Sequence, residues 1–267
     1  MDRSAEHDCG GQRVGADTRV PELRHVALDV AGDYFEEIAR LPPEEAIASL
    51  RRRAAVPKGE FAKMSARERA QSFTVAGVVD LDIVSDVLRS IEKAVADGQT
   101  LEEWQEAIGD TLRNAWAGTV ANPSARMETI FRTNVQSAYA AGRYAEATDP
   151  DTLAMRPYWM YSAVMDDRTT EVCAACDGVV RPASDAFWHT HNPPAHYNCR
   201  STLITLSEDL AKEYGVSHKP PAWFAPPMKG FGGPPDLAWQ PKATDYPDDA
   251  WREFHAKMAD GADRRPS

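Results

Sequence analysis

Cys173-Ala-Ala-Cys176 and, after nineteen intervening residues, His196-Tyr-Asn-Cys199 are the segments on which the reading of this chain turns. Two close pairs of soft donors joined by a longer loop is how a chain delivers four ligands to one tetrahedral zinc. Each pair bites from a tight turn, and the loop lets the pairs converge. Three thiolates and an imidazole leave the site negatively charged. Arg200, and with it Arg168, is placed to offset that charge and to orient the sulfurs. Four protein ligands close the site and leave no position for a catalytic water, which points to structure over catalysis. A set of ordinary reduced core cysteines, or a redox or disulfide pair, is the alternative reading of the same residues.

Working outward, the flanks of the cluster are strand-forming. Tyr158-Trp-Met-Tyr-Ser-Ala-Val164, Gly178-Val-Val-Arg181 and Ser201-Thr-Leu-Ile-Thr-Leu206 are rich in β-branched and aromatic residues. A strand region this small gains much from a metal staple. Ser207 is placed to cap a short helix that ends at Gly215. Beyond it, Pro220-Pro221, Pro226-Pro227, Gly232-Gly233 and Pro234-Pro235 make a packed core improbable, so residues 216–267 are expected to be extended. Trp223, Phe224, Phe231 and Trp239 are unusual in a plain linker and suit packing back on the domain or anchoring to a partner.

Upstream of the strands the period changes to that of helices. Val84, Val87, Leu88, Ile91 and Val95 share one face, with Asp97-Gly98 as the stop. Thr100-Leu-Glu-Glu103 is a capping box, followed by Leu101, Trp104, Ile108, Leu112 and Trp116 on one face. A longer helix is predicted over about Ser124 to Ala147, whose Ala138, Ala140, Ala141 and Gly142 imply a closely packed neighbour. Ser65-Ala-Arg-Glu68 is a second capping box. Pro42-Pro43 separates a helix with Leu23, Val26, Val30, Tyr34 and Ile38 inward from one over Glu44 to about Ala54. Arg51-Arg52-Arg53 reads as the solvated end of that helix. Residues 1–20 are a polar leader expected to be disordered.

The expected architecture is therefore α+β, predominantly α-helical, with a small β-containing, zinc-stapled subdomain. Its parts are a leader (1–20), N-terminal helices (21–64), a main domain (65–210) and a Pro-rich tail (211–267). At 267 residues, with 41 acidic against 30 basic side chains and a net charge of −11, the chain disfavours free-standing, high-affinity nucleic-acid binding. No apolar run approaches the ~20 residues of a membrane span, and no secretory signal opens the sequence, so a cytoplasmic site of synthesis is expected.

Other residues invite sharper chemistry. Asp166, Asp167 and Asp177 surround the first cysteine pair and would suit a hydrolytic metal, although such carboxylates more commonly cap turns or pair with an arginine, here Arg168. His189 and His191 precede Asn192-Pro193-Pro194 and suit nuclease ligands, although loop histidines beside a Pro-Pro turn are usually surface residues. The deaminase arrangement of H-x-E before P-C-x-x-C is absent. So are a phosphate-cradling Gly-rich loop and a G-x-S-x-G elbow.

Several ordered segments resemble the phage Mu F-like head morphogenesis family. They are Arg132-Thr-Asn-Val-Gln-Ser-Ala-Tyr-Ala-Ala-Gly-Arg143, Asp166-Asp-Arg-Thr169, Cys173-Ala-Ala-Cys-Asp-Gly178, Asp185-Ala-Phe-Trp188 and Pro193-Pro-Ala-His-Tyr-Asn-Cys-Arg200. Gln71-Ser-Phe-Thr-Val-Ala-Gly77 resembles the family's N-terminal half. Many relatives continue N-C-R-C, where this chain has Ser201. The resemblance implies a non-enzymatic minor capsid protein of a tailed phage or prophage, made in the host cytoplasm and carried inside the head near the portal. It implies portal, major capsid or scaffold proteins as partners, possible contact with packaged DNA, and no membrane. For the metal it supports a metal or Cys/His cluster in this region, while the assignment of Cys173, Cys176, His196 and Cys199 as zinc ligands rests on their spacing. The rival reading is a metal-dependent nuclease or a Mu F-type toxin module using His189, His191 and Asp166 with the cysteines.

Overall fold

A computed structural model describes residues 44–70 and 72–235. The leader, the helix expected ahead of Pro42-Pro43 and the tail beyond Pro235, with Trp239, lie outside the described residues.

The first helix, α1 (Glu44–Arg52), carries glutamates in its first turn and arginines in its last, matching its dipole. A short parallel pair, β1 (Ala54–Ala55) with β2 (Ser72–Phe73), brackets the brief helices α2 (Lys58–Lys63) and α3 (Ala66–Arg69). The Ser65–Glu68 capping box opens α3 as expected. The helical half continues with α4 (Leu81–Asp97), α5 (Leu101–Trp116) and α6 (Pro123–Ala147). Asp80 caps α4, Gly98 ends it, and the Thr100–Glu103 box opens α5. Asn122 caps α6 and Pro123 occupies its first turn, one residue ahead of the predicted start.

The predicted faces of α4 and α5 are inside. Val84, Val87, Ile91, Trp104, Leu112 and Trp116 are buried together with Phe73, Met127 and Ile130 of neighbouring elements. Trp104 Nε1 donates to Ser90 Oγ at 2.9 Å, and Trp116 Nε1 to the Ala76 carbonyl at 3.1 Å, so neither indole is buried unsatisfied. The neighbour implied by the small residues of α6 is α1. A Cβ on Gly142 would lie 2.7 Å from that of Glu45, so the two backbones approach as only glycine allows. Arg53 departs from the expected solvated helix end. Arg51 and Arg52 are exposed, but Arg53 is buried.

After the short α7 (Pro150–Met155) the chain turns to strands. β3 (Tyr158–Ser162) is central, antiparallel to both β4 (Val180–Pro182) and β5 (Thr202–Leu206), in the order β4-β3-β5. Between β3 and β4 lies α8 (Glu171–Cys176), and α9 (Glu208–Tyr214) comes after β5 under the Ser207 cap. A second core gathers Trp159, Tyr161, Phe187, Trp188 and Leu203 with Cys173, Cys176 and Cys199. Trp159 stands edge-on to both Tyr144 of α6 and Trp188. Among the described residues the fold is helix-dominated with two small sheets, the mixed architecture the sequence implied.

Part of the Pro-rich segment packs back. Phe224 is buried edge-on against Phe187 at 5.1 Å, and Phe231 sits on Tyr197 at 4.9 Å. Trp223 stays exposed beneath Lys219. Among the described residues no helix is long and apolar enough to cross a membrane.

Candidate metal centre

Three of the four expected ligands converge. The Sγ atoms of Cys173 and Cys199 and a ring nitrogen of His196 lie within 4.8 Å of one another, the only such group of Cys, His, Asp or Glu among the described residues. Cys173 Sγ is 3.2 Å from His196 Nε2 and 3.8 Å from Cys199 Sγ. Two thiolates bound to one tetrahedral zinc stand about 3.8 Å apart, given zinc–sulfur bonds of about 2.3 Å. The sulfur spacing fits that edge.

Cys176 lies outside the group. The sequence suggested that each pair bites from a tight turn, but Cys173-Ala-Ala-Cys176 is the body of α8. Cys176, at the end of that helix, is fully buried in the second core. Burial, and then the charge of Cys173, pushes its thiol up to about 12.

Proton positions bear on what the three donors hold. His196 Nδ1 is 2.7 Å from the Tyr197 carbonyl, which only accepts, so Nδ1 carries a proton. Nε2 lies 3.2 Å from Cys173 Sγ, a separation that needs a proton or a cation between the two atoms. The Thr170 hydroxyl is the other neighbour of Nε2, at 2.8 Å. The Cys173 thiol is held well below its usual range, first by the hydrogen bond with Cys199 and further by Ser201, Thr170 and Tyr161, against the opposing effect of burial. Cys199 is pushed up by the same bond and by burial. The Tyr161 hydroxyl lies 3.4 Å from Cys173 Sγ, and the Ala195 N–H donates to Cys199 Sγ at 3.4 Å. Two thiol sulfurs and an imidazole supplied with such donors have the chemistry of a soft-cation site.

The surrounding motifs position these donors. Asp166 closes its own turn by accepting from the Arg168 N–H at 2.9 Å, and it grips Arg200 through two oxygens at 2.6 and 2.5 Å. That pair fastens the loop before α8 to the residue after Cys199, so the two ligand segments are tied together from outside the cluster. Arg168 stands 3.9 Å from Asp166 and is mostly exposed. The partner of Asp166 is thus Arg200, and Arg200 reaches Cys199 through its charge alone. Asp177 accepts from the Ala163 N–H at 2.9 Å, and Gly178, at φ 71°, turns the chain into β4. Asn198 takes φ 55°, a conformation asparagine tolerates, and its N–H donates to Thr133 Oγ1 of α6 at 3.1 Å. Gln136 Nε2 donates to the Ser201 carbonyl at 2.9 Å. Helix α6 therefore braces the second ligand segment from both sides of Cys199.

The residues of the nuclease reading are not assembled. His189 is exposed, whereas His191 is buried, stacked on Phe187 at 4.8 Å and held below its ordinary pKa first by burial. The sequence pattern does not mark Thr133, Gln136, Tyr161 and Thr170 as positioning residues. The Arg132-Thr-Asn-Val-Gln136 run and the Asp166-x-x-Thr169-Thr170 spacing hold the local signal for three of them, and Tyr161 has none.

Residues 85–204 match the family model described as Phage Mu protein F like protein. The capsid assembly protein F of Escherichia phage Mu is 34% identical over 193 residues, spanning 67% of this chain and 43% of that protein. The Mu-like prophage FluMu F protein of Haemophilus influenzae is 31% identical over 157 residues, spanning 55% of this chain and 37% of that protein. The chain thus spans about two fifths of the length of these curated relatives. No solved structure matches it significantly.

Proposed function

Through residues 85–204 the chain belongs to the phage Mu protein F-like family, and on that premise we propose that it is a minor head protein of a tailed phage or prophage, acting in capsid assembly. The observation that carries this is the alignment over 193 residues with a protein named for capsid assembly. In this reading the chain works by contact with other head proteins, at or near the portal, and has no catalytic task. A net charge of −11 works against association with packaged DNA. The decisive test is deletion of the gene from the phage that encodes it, with electron microscopy of the lysate. Heads that are absent, misshapen or unfilled are expected; a normal yield of filled, infectious particles would overturn the proposal.

Within that role, Cys173, His196 and Cys199 are proposed to hold a structural zinc. The ion would supply a cross-link between α8 and the segment entering β5, regions that no long element joins. The sulfur spacing, the protonated Nδ1 of His196 and the depressed Cys173 thiol support this. Reduced protein purified from zinc-supplemented cells should contain about one zinc per chain, and Cys199→Ala should lose it. Zinc near zero in the reduced parent protein would sink the assignment. Cys176→Ala separates two versions of it. Retained zinc means a three-donor centre completed by water, whereas lost zinc means that α8 adjusts to bring Cys176 in.

A further inference from the structure

Of Arg51-Arg52-Arg53, the third side chain sits in an environment a solvated helix end does not provide. Arg53 is 4% exposed. Its Nη1 donates to Asn134 Oδ1 at 2.9 Å, while Nε and Nη2 are enclosed without a hydrogen-bond partner. No carboxylate pairs with it among the described residues. Burial alone pulls its pKa down to about 10. A buried guanidinium with one hydrogen bond and no counter-charge carries an unrelieved desolvation cost.

The same residue lines a cavity of about 520 Å³, walled by α6, by the 58–76 segment and by the loops at 193–197 and 230–235. The described lining contains Arg53, Lys58, Arg69 and Arg126 and not one Asp or Glu, in a chain whose acidic residues outnumber its basic ones by 41 to 30. Arg69 is committed elsewhere, donating to the Met64 and Ala62 carbonyls. Lys58 and Arg126 are exposed at the cavity with no ion pair among the described residues. The remaining wall is largely apolar, with Phe61, Phe73, Ile130 and Phe231 contributing. A cavity of this size with apolar walls and a few polar groups has the character of a small-ligand site. Its charge selects an anion, and its walls select an apolar body over a hydrated ion.

We propose that this cavity binds an organic anion, a carboxylate carried on an apolar body, with Arg53 as the buried counter-charge and Lys58 and Arg126 at the entrance. The site stands whether or not the cysteine cluster holds a metal, and it does not depend on the head-assembly reading. The same chemistry is available from a free acid or from an acidic side chain flanked by apolar ones in another protein.

Calorimetric titration of the full chain tests this with two probes, sodium octanoate and the peptide acetyl-Leu-Asp-Leu-amide, against octan-1-ol and inorganic phosphate. Saturable one-to-one binding of octanoate identifies a free acid as sufficient; binding of the peptide alone identifies a protein-borne carboxylate. Both controls should bind at least about tenfold more weakly, since each lacks half of the recognised chemistry. Arg53→Met should weaken binding by about tenfold or more. Should that variant fail to fold, Ala62→Trp, which narrows the cavity from an exposed position, and the double change Lys58→Ala with Arg126→Ala carry the test. Binding of neither probe, octanol or phosphate binding as tightly as octanoate, or affinity unchanged in every folded variant would overturn the proposal.

Discussion

The two halves of this molecule are held together by different means. From α4 to the first half of α6 the stabilising contacts are apolar and broad, with Trp104, Trp116, Ile91 and Leu112 almost wholly buried and every helix start capped by its own neighbours in sequence. From β3 to β5 the elements are three to six residues long, and distant segments are fastened by single polar links: Asp166 to Arg200, Asn198 to Thr133, Gln136 to Ser201, and the cysteine–histidine cluster. The first kind of stability is spread over many atoms and degrades gradually. The second is concentrated, so that one substitution releases a whole segment.

The contrast can be broken most forcefully in the helical half. Trp104→Ala removes a fully buried indole and should cost about 3–5 kcal/mol, lowering the denaturant midpoint of the helical half. A loss under about 1 kcal/mol would mean that the apolar core is not what holds α4 to α5. Next in size is Thr133→Val, which leaves the Asn198 N–H without its acceptor at a cost of about 1–3 kcal/mol. Hydrogen exchange should accelerate around residues 196–201 and stay unchanged in α4 and α5; uniform acceleration would show the halves to be one cooperative unit.

Thr100→Ala removes the capping box of α5 and should cost about 1 kcal/mol, detectable as a modest fall in Tm with native exchange at the cysteine cluster. The smallest effect concerns pH. Burial lowers the folded pKa of His191, so the unfolded chain binds this proton more readily. The contribution is fully present above the unfolded value of about 6.5 and is lost as pH falls towards the lowered folded value. Tm should therefore decline between about pH 7.5 and 5.5, and His191→Phe should flatten part of that slope. An equal slope in parent and variant would place the pH dependence elsewhere.

The same contrast governs what could be read from the sequence. Capping boxes at Ser65 and Thr100, and the faces of α4 and α5, are encoded within a few residues of where they act, so periodicity and local chemistry revealed them. The small-residue run in α6 announced a close neighbour, but only the fold shows that α1 supplies it. At the candidate metal centre, spacing pointed to the two segments that converge and could not say whether Cys173-Ala-Ala-Cys176 is a turn or a helix. That distinction sets Cys176 apart from the other three. Asp166 and Arg200 are 34 residues apart, and nothing local to either marks the other as its partner. Arg53 misled for a related reason: a triple-arginine run reads as solvent-facing, while the Asn134 that receives its third member is 81 residues away.

Helix α6 runs for 25 residues and serves both halves, offering Met127 and Ile130 to one core, Thr133 and Gln136 to the Cys199 segment, and Tyr144 and Ala147 to the other core. Each residue added to a helix rotates the downstream chain by about 100° and advances it by about 1.5 Å. Insertion or deletion of a single codon between Gln136 and Tyr144 would therefore turn the second set of contacts away while leaving the first in place. Away from Thr133, Gln136 and Gly142 the residues of this helix are open to gradual change, but its length is not: the spacing between its two sets of contacts works as a fixed phase.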